Sequence, residues 1–277
     1  MEPELADARR AAPLISLVTV NLNNSDGLER TIASINCQTY GHWTHLIQDG
    51  GSSDASVSIC DEYPDSRRSL VSESDGGIYD GMNRGLARAP DGLVWFLNSG
   101  DTLATPVALR AVADAWVSSE WLWAVGGVRI ERADGQPASD FLDPSATAEG
   151  VLRGYTMFPH PATVYQAQFV KDLGGFYVGV GPAADQDLAV RAYHASRPLM
   201  IAEILACFEA GGVSEVGVVR HQRRLRQLRS ANQAMVLGSP LGDALWTTAR
   251  ILQLGAKHLL RDIRGARARG SIGMVDD

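Results

Sequence analysis

The sequence predicts an α/β fold in which a mostly parallel central sheet is flanked by helices and followed by a C-terminal helical tail. Short apolar, β-branched segments alternate with helical segments of about ten residues, which is the pattern of βαβ units. Hydrophobic residues make up 45% and charged residues 21% of the 277 residues, enough for a packed core. No run of about 18 apolar residues predicts a membrane-spanning helix.

The first half of the chain contains four predicted strands. The first covers residues 14–20 and is almost wholly apolar, and the spacing of Asp26 and Glu29 predicts a capping box for the helix behind it. Thr105 and Pro106 predict the cap and first turn of a later helix. The other strands are predicted over 43–48, 69–71 and 92–97, with helices ending near 35, 63, 89 and 116.

The second half is less regular, and residues 133–150 predict a polar connection that contains proline. Gly174 and Gly175 are expected to close a helix. The predicted elements, in order, are a strand over 125–132, an extended stretch over 161–165, helices over 166–173 and 184–195, a strand over 199–202, and two helical segments from Val218 that divide near residues 238–240.

Charge is unevenly distributed along the chain. From Gly217 onward there are eleven Lys and Arg against four Asp and Glu, whereas residues 1–216 carry fourteen against twenty-eight. The chain is therefore divided into a flexible leader over 1–13, a body over 14–216 and a basic helical tail over 217–277. The acidic body argues against nucleic-acid binding, and the tail is expected to meet an anionic partner.

Several classes of protein are excluded. There is no Gly-Lys phosphate loop, and residues 179–181 precede Pro182, which lacks a backbone N–H, so the dinucleotide fingerprint of a dehydrogenase is absent. Cys37, Cys60 and Cys207 are scattered, which argues against a disulfide framework or a thiolate zinc site. The acidic N-terminus does not look like a secretory signal, and the expected location is the cytoplasm.

Polar and acidic residues follow the predicted strands at the end where parallel sheets bind ligands. Asp101 closes a segment that begins at Asn98. It either binds a hard divalent cation or belongs to a simple turn. Asp49 ends the second strand and either contacts a ligand or bonds its own loop, while Asp54 caps the next helix. Residues 72–85 contain four glycines and three acids, more than a surface connection needs.

Two further candidates lie in the second half. Asp185 begins a predicted helix, where the dipole favours an ionised carboxylate. It acts as a general base if that end faces the cleft, and as a helix cap otherwise. His160 stands between two prolines and is either structural or part of the site.

Taken in order, these segments resemble the family-2 glycosyltransferases of the GT-A fold, in particular the bacterial polysaccharide-biosynthesis branch of colanic-acid type. The resemblance covers residues 15–214. Five segments in family order carry it: Val18 to Asn23, Asp49 to Asp54, Ser72 to Gly85, Phe96 to Asp101, and Ala184 to Arg191.

The resemblance implies an inverting transfer of a sugar from a UDP- or GDP-type donor to a glycan or lipid-linked acceptor, in cell-surface polysaccharide or glycoconjugate assembly. It implies a nucleotide-binding half over 14–104 and an acceptor half over 105–216. Asp185 is implied as the catalytic base, and Asp101 as the ligand of Mg²⁺ or Mn²⁺. The residues implied at the nucleotide are Thr19, Asn23, Asp49, Asp75 and Asn83. Those implied on the acceptor side or behind the reacting groups are Asn98, His160 and Asp187.

Two positions depart from the family pattern. Asn98 stands where the family has the first acid of its DxD motif, and Ala184 replaces the acid often found before the base. Both departures favour an alternative: a non-catalytic member that binds a nucleotide or glycan and assists a partner. The basic tail is expected either to lie on an anionic membrane, at the inner face of the plasma membrane, or to pack on the body.

Overall fold

A computed structural model describes residues 11–132, 136–209 and 218–254 and shows an α/β fold, as predicted. Most of the predicted leader and the end of the predicted tail, residues 1–10 and 255–277, lie outside the described residues. The elements in chain order are β1 (Ile15–Asn21), α1 (Ser25–Asn36), β2 (Trp43–Asp49), α2 (Ser56–Glu62), β3 (Arg68–Ser72), α3 (Ile78–Arg88), β4 (Leu93–Phe96), β5 (Thr102–Leu103), α4 (Ala108–Ser118), β6 (Trp123–Glu131), β7 (Pro137–Phe141), α5 (Ala148–Arg153), β8 (Thr163–Gln166), α6 (Ala167–Asp172), α7 (Ala184–Ala195), β9 (Leu199–Glu209) and α8 (Val218–Ala231). A further helix, α9, covers 240–254, where the described part of the chain ends.

The described strands form one sheet in the order β3-β2-β1-β4-β8-β6-β9-β5, with β7 paired to β6. The first four strands are parallel, as predicted. Beyond β4 the sheet is mixed, because β8 runs antiparallel to both β4 and β6 while β6 and β9 are parallel. The carboxyl ends of β1 to β4 therefore meet at one edge of the sheet, where the predicted site residues lie.

β1 is buried along its whole length because helices cover both faces of the sheet. Val18 packs in a cluster with Leu86 of α3, and Leu17 packs on the other face in a cluster with Leu109 of α4. At Gly85 an added Cβ would lie 2.3 Å from Val18 Cγ1. Glycine at this position therefore allows α3 to approach the sheet closely and brings residues 72–85 against the end of β2.

Some element boundaries differ from the predicted ones. α1 is capped by Asn24, whose Oδ1 accepts from Gly27 N at 3.2 Å, and not by the box predicted at Asp26 and Glu29. α4 begins at Ala108, after a turn in which Thr105 O accepts from Ala108 N at 3.2 Å. β7 and α5 fall within the predicted polar connection, and β9 runs well past the predicted 199–202. β7 is almost wholly exposed, so its pairing with β6 and not its apolarity makes it a strand.

The described part of the tail packs on the body. Leu225 and Leu228 of α8 are buried in the same cluster as Leu152 of α5. Arg229 is fully buried and donates to Leu152 O at 3.0 Å and to Asp243 Oδ1 at 2.6 Å. Of the two alternatives for the tail, a membrane surface or packing on the body, α8 packs on the body. Within the described residues no helix is long and apolar enough to cross a membrane.

Candidate active site

Asp49 joins the three loops that follow β1, β2 and β3. Asn21, Asp49 and Ser72 are register partners in adjacent strands. Asn21 Nδ2 donates to Asp49 Oδ1 at 2.8 Å, and Ser72 Oγ donates to Oδ2 at 2.6 Å. Ser52 adds its backbone N–H at 2.8 Å and its hydroxyl at 2.5 Å. Burial alone would raise the pKa of Asp49, but the bonds from Ser52, Ser72 and Asn21 outweigh burial and lower it. Of the two alternatives for Asp49, the structure displays the loop-bonding one, and contact with a nucleobase stays a prediction.

Asn23 and Asp54 fasten the first loop to the second. Asn23 has a left-handed backbone (φ 49°), its N–H donates to Ser52 Oγ at 2.8 Å, and its Oδ1 accepts from Ser53 N at 2.9 Å. The cap of α2 is Ala55 and not the predicted Asp54, which lies one residue earlier. Asp54 accepts from Ser56 N at the start of α2 and from Ser25 N at the start of α1, both at 3.0 Å. The side chain of Asn23 is exposed beside the loop that follows β2. Its contact with the nucleotide stays a prediction.

Asp75 lies beside the second loop and is half-buried. Its Oδ1 accepts from Gly77 N at 2.9 Å, just before α3. A Cβ added at Gly50 would lie 3.3 Å from the Asp75 carboxylate, and one at Gly81 only 3.0 Å. The missing side chains at both glycines leave room for this carboxylate beside the loop that follows β2. Its contact with the base or ribose stays a prediction.

The structure corrects the prediction that Thr19 borders the nucleotide. Thr19 is fully buried within β1, and its Oγ1 lies 2.9 Å from His45 Nε2. Arg68 Nε donates to His45 Nδ1 at 3.2 Å, which assigns the ring proton to Nε2, the donor to Thr19. Burial, and after it the charge of Arg68, lowers the pKa of His45 to about 3. Thr19 therefore belongs to a polar pair inside the sheet.

Residues 98–101 form a turn directly after β4. Asp101 Oδ2 accepts from Asn98 N at 3.1 Å. Thr31 Oγ1 accepts from Gly100 N at 3.0 Å and donates to Asp101 O at 2.7 Å, which ties the turn to α1. Gly100 has a φ of 103°, a conformation that side chains other than glycine rarely adopt. Asn98 Oδ1 is buried and has no hydrogen-bond partner among the described residues.

The oxygen atoms of this turn fit a hard divalent cation. Burial raises the pKa of Asp101 to about 7, the behaviour of a carboxyl group that lacks a cationic partner. The unpartnered Asn98 Oδ1 is the kind of buried acceptor that a ligand satisfies, and Mg²⁺ and Mn²⁺ prefer oxygen. No cluster of three or more His, Cys, Asp or Glu suited to a metal occurs in the part of the chain that the structure describes. A cation at this turn would therefore need further ligands from substrate and water.

Asp185 is the second residue of α7 and is partly exposed. Its Oδ1 lies 3.2 Å from Tyr79 Oη, and its Oδ2 lies 3.3 Å from Gln186 Nε2. Burial, and after it the charge of Asp185, raises the pKa of Tyr79, so the phenol keeps its proton. The hydroxyl shares this proton between Asp185 Oδ1 and Pro182 O, which lies 3.3 Å away. Both contacts are long for hydrogen bonds, so the carboxylate keeps acceptor capacity for another donor.

An aromatic wall connects Asp185 with the turn that carries Asp101. Tyr79 stacks on Phe176 with the ring centroids 5.6 Å apart. Phe176 meets Phe96 edge to face at 4.8 Å, and Phe96 is the last residue of β4, just before the turn. The layer of packed rings therefore runs from Tyr79, which contacts Asp185, to Phe96 at the end of β4.

His160 packs into the same wall. Its ring lies 6.1 Å from that of Phe96 and 5.9 Å from that of Phe176. Burial lowers the pKa of His160, and the nearby charge of Asp185 opposes this shift. Its Nε2 is buried with no hydrogen-bond partner in the described ranges. His160 therefore lies in the aromatic wall behind Asp185. Of the two alternatives that the sequence left for His160, this position corresponds to a residue that is part of the site.

Asn83 and Asp187 are bound to the chain itself. Asn83 Oδ1 accepts from Phe176 N and its Nδ2 donates to Phe176 O, both at 2.9 Å. Asp187 is buried and accepts from Arg191 Nε and from Asn232 Nδ2, each at 2.8 Å. Asn83 therefore positions the aromatic wall in place of the predicted nucleotide contact. Asp187 fastens the end of α8 to α7 instead of facing an acceptor.

Sequence reasoning gave no role to several residues that organise the site. Tyr79 and Gln186 hold the two oxygens of Asp185, Thr31 holds the 98–101 turn, and Asn24 Nδ2 donates to Ser99 O at 3.0 Å. Tyr79 lies inside the segment 72–85, so the motif itself was the available signal. No signal in the sequence pointed to Gln186 or Thr31, because their hydrogen-bond partners are remote along the chain or depend on the fold.

Relatives identify the chain. Residues 16–136 match the sequence family described as Glycosyl transferase family 2. Over 204 residues the chain is 32% identical to the uncharacterized glycosyltransferase Rv1514c of Mycobacterium tuberculosis (strain ATCC 25618 / H37Rv), a match that covers 73% of this chain and 78% of that protein. The chain belongs to glycosyltransferase family 2. The predicted family is confirmed, and the colanic-acid-type branch stays a prediction.

Two solved structures share the fold of this family 2 glycosyltransferase. Staphylococcus aureus TarS 1–349 in complex with UDP-GlcNAc has a TM-score of 0.62 at 16% identity, over 86% of this chain and 71% of that one. The mannosyltransferase PcManGT from Pyrobaculum calidifontis, in complex with GDP-Man and Mn²⁺, has a TM-score of 0.60 at 18% identity, over 98% and 79% of the two chains. At such identities the likeness concerns the fold, and it confirms the predicted fold class.

Proposed function

We propose that this family 2 glycosyltransferase is an active, inverting enzyme that moves a sugar from a nucleoside-diphosphate sugar to an acceptor hydroxyl, with Asp185 as the general base. The observation that carries the proposal is the state of Asp185. Its carboxylate is partly exposed at the N-terminus of α7 and has two long hydrogen-bond contacts among the described residues. One of them is to Tyr79, which belongs to the ring layer that reaches Phe96 at the end of β4. A base needs this free acceptor capacity.

The chemistry is a single displacement. A free oxygen lone pair of Asp185 takes the proton of the acceptor hydroxyl as that oxygen forms its bond to the anomeric carbon. The bond from this carbon to the diphosphate breaks on the opposite side, and the diphosphate leaves with the electron pair. Tyr79 and Gln186 orient the carboxylate during the proton transfer. One displacement inverts the configuration of the sugar.

We assign the nucleotide to the edge formed by the loops after β1, β2 and β3. Asn23 and Asp75 are the predicted residues whose side chains reach this edge, while Asp49 holds the loops in place. A UDP- or GDP-type donor is supported by the fold shared with TarS, solved with UDP-GlcNAc, and PcManGT, solved with GDP-Man. The resemblance to polysaccharide-biosynthesis transferases supports an acceptor in cell-surface polysaccharide or glycoconjugate assembly.

Asp101 and Asn98 are the residues that would hold Mg²⁺ or Mn²⁺. When bound, such an ion neutralises the negative charge that develops on the leaving diphosphate. The Mn²⁺ of PcManGT supports this assignment. Because Asn98 is neutral where the family has an acid, the protein contributes one negative charge fewer, and we expect cation affinity to depend strongly on the bound diphosphate.

The alternative is a non-catalytic binding subunit, for which the two departures from the family pattern, Asn98 and Ala184, were the argument. Ala184 is fully buried in the core cluster beside Leu188. An acid at this position would lie in the core and not beside the carboxylate of Asp185. Its absence therefore does not weaken the assignment of Asp185 as the base. Only Asn98 still favours the alternative.

A donor panel tests the proposal. We expect release of nucleoside diphosphate from at least one of UDP-GlcNAc, UDP-Glc, UDP-Gal and GDP-Man with Mn²⁺, because transferases leak slowly to water. Proton NMR of the first-formed free sugar should show the inverted anomer. A retained anomer would contradict single displacement. Tight donor binding without any release would establish the accessory-subunit alternative.

Cation binding has its own test in Asp101→Ala. Titration calorimetry of UDP and GDP should show an affinity that Mn²⁺ raises in the wild-type protein, and the variant should lose at least about tenfold of that increase. Asp114→Ala is the matched control, because Asp114 is an exposed carboxylate on α4. An unchanged Mn²⁺ effect in Asp101→Ala would show that the turn does not hold the ion.

A further inference from the structure

Helix α9 exposes a stripe of leucines. Leu241, Leu245 and Leu252 are 71%, 62% and 69% exposed. Their spacing of four and seven residues puts them on one face of the helix. Scattered exposed leucines are ordinary, but a contiguous apolar face marks an interaction surface.

The opposite face of α9 is bound to the body, so the leucine face is held outward. The buried Arg229 donates to both oxygens of Asp243, at 2.6 and 3.2 Å, and to Thr247 Oγ1 at 2.7 Å. Its guanidinium lies 4.7 Å from the ring of Trp246. These contacts set the rotation of α9 about its axis, and the leucines lie on the side that they leave open.

Basic residues lie on α8, and one of them contacts the start of α9. Arg226 Nη2 donates to Pro240 O at 3.4 Å, which places α8 against the start of α9. Arg220 and Arg223 of α8 are exposed. Beyond the described residues the sequence contains five basic residues before its last eight: Lys257, Arg261, Arg264, Arg267 and Arg269, with Asp262 as the one acid among them. An exposed leucine face on a segment rich in exposed arginines matches a bilayer surface that carries anionic headgroups.

Tyr155 links α9 to the residues around Asp185. Arg250 of α9 lies over the ring of Tyr155 at 5.1 Å, and Tyr155 is 61% exposed. Phe158 follows three residues later and pairs through its backbone with Gln186 in two hydrogen bonds, at 3.2 and 2.9 Å. Gln186 is the neighbour that contacts Asp185. α9 therefore contacts the segment next to the proposed base with the face opposite the leucines.

We propose that the leucine face of α9, with the arginines of α8, binds an anionic lipid surface. Lipid binding does not depend on catalysis. Its consequence for the acceptor, that the hydroxyl is carried on a lipid, rests on the proposed function.

Vesicle co-sedimentation of the full chain tests the surface. We expect binding to phosphatidylcholine vesicles that contain phosphatidylglycerol, weak binding to pure phosphatidylcholine, and loss of binding in high salt. The variant Leu241→Ser/Leu245→Ser/Leu252→Ser should lose at least about tenfold in partitioning, because three apolar side chains no longer enter the bilayer. The matched control Val57→Ser/Val107→Ser/Val117→Ser changes exposed valines on and beside α2 and α4 and should bind like the wild type.

A second variant tests the charge without touching the leucines. Arg220→Gln/Arg223→Gln should weaken binding to the anionic vesicles and leave the melting temperature unchanged, since both side chains are exposed. Equal binding by the leucine variant and the wild type would overturn the proposal. So would a dimer, seen by sedimentation equilibrium without lipid, that the leucine variant converts to a monomer while the wild type ignores vesicles.

Donor hydrolysis separates this proposal from the enzymatic one. The leucine variant should release nucleoside diphosphate at the wild-type rate, because none of its changes lies beside Asp185 or in the 98–101 turn. A wild-type protein that binds vesicles and hydrolyses no donor would refute the catalytic assignment and the lipid-borne acceptor while supporting the lipid surface.

Discussion

Asp49 and Asp185 are both carboxylates that the sequence places at a candidate site, and their surroundings differ sharply. Asp49 is buried, and both of its oxygens accept short hydrogen bonds from three loops. Asp185 is partly exposed, and its two contacts measure 3.2 and 3.3 Å. A carboxylate whose acceptor positions are filled holds structure, whereas one with open positions can take a proton or a ligand.

The same contrast between filled and open acceptor positions separates three other acids of the molecule. Asp187 and Asp243 are buried and bound to arginines, so they join the class of Asp49. The side chain of Asp101 accepts one hydrogen bond, from Asn98 N. In its open acceptor positions Asp101 therefore resembles Asp185 more than Asp49. The contrast therefore predicts which substitutions change the rate of catalysis and which change stability.

Asp185→Asn should have the largest effect on activity. Asparagine keeps the shape and the contact from Tyr79 but cannot take the proton, so we expect kcat to fall by about 10²–10⁴-fold. Donor affinity, measured by calorimetry, should stay near the wild-type value. Urea denaturation should show little change in stability. A variant that transfers sugar at the wild-type rate would remove Asp185 from the mechanism.

Asp243→Ala should have the largest effect on stability. It leaves the fully buried Arg229 without its carboxylate, and breaking a buried ion pair in this way costs about 3–5 kcal/mol of the free energy of unfolding. Urea denaturation measures the loss, and Asp114→Ala, whose pair with Arg110 is exposed, should change stability by less than about 1 kcal/mol. Equal losses in the two variants would contradict the packed tail.

Asp49→Asn tests the first member of the comparison. The amide replaces one acceptor oxygen by a donor that faces other donors, so we expect a loss of about 1–3 kcal/mol in the free energy of unfolding. Donor binding should weaken along with the loops, whereas Asp185→Asn should leave both stability and donor binding intact. If Asp49→Asn were as stable as the wild type and lost only turnover, the distinction between filled and open carboxylates would fail.

The smallest effect is a pH dependence of stability that comes from His45. Its pKa is about 3 in the folded protein against 6.5 for a free side chain, so below pH 6.5 the unfolded chain takes up a proton that the folded one does not. Stability is therefore full above that range and falls on acidification, by up to about 1.4 kcal/mol per pH unit from this group. His45→Asn should show a shallower decline between about pH 7.5 and pH 5 in urea titrations, and an unchanged slope would contradict the assignment.

Local patterns predicted the regular elements well wherever one chain segment decides the structure. α7 begins and ends where its sequence predicted, since its apolar residues recur at helical spacing and face the core. β7 was missed because it is exposed and exists only through its pairing with β6. The cap of α1 was assigned to the wrong residue, because Asn24 competes with Asp26 and only the backbone conformation decides between them.

For the site, the sequence by itself determined which acids and amides follow each strand, since strand order and motif spacing are local properties of the chain. Only the tertiary structure decided what each of them does, because hydrogen-bond saturation depends on partners far away in the sequence. Thr19 pairs with His45 inside the sheet, Asn83 binds the backbone of Phe176, and Asp185 keeps two weakly held oxygens. The physical reason is that a polar group has few bonding positions, and the fold determines whether the protein fills them or leaves them for a substrate.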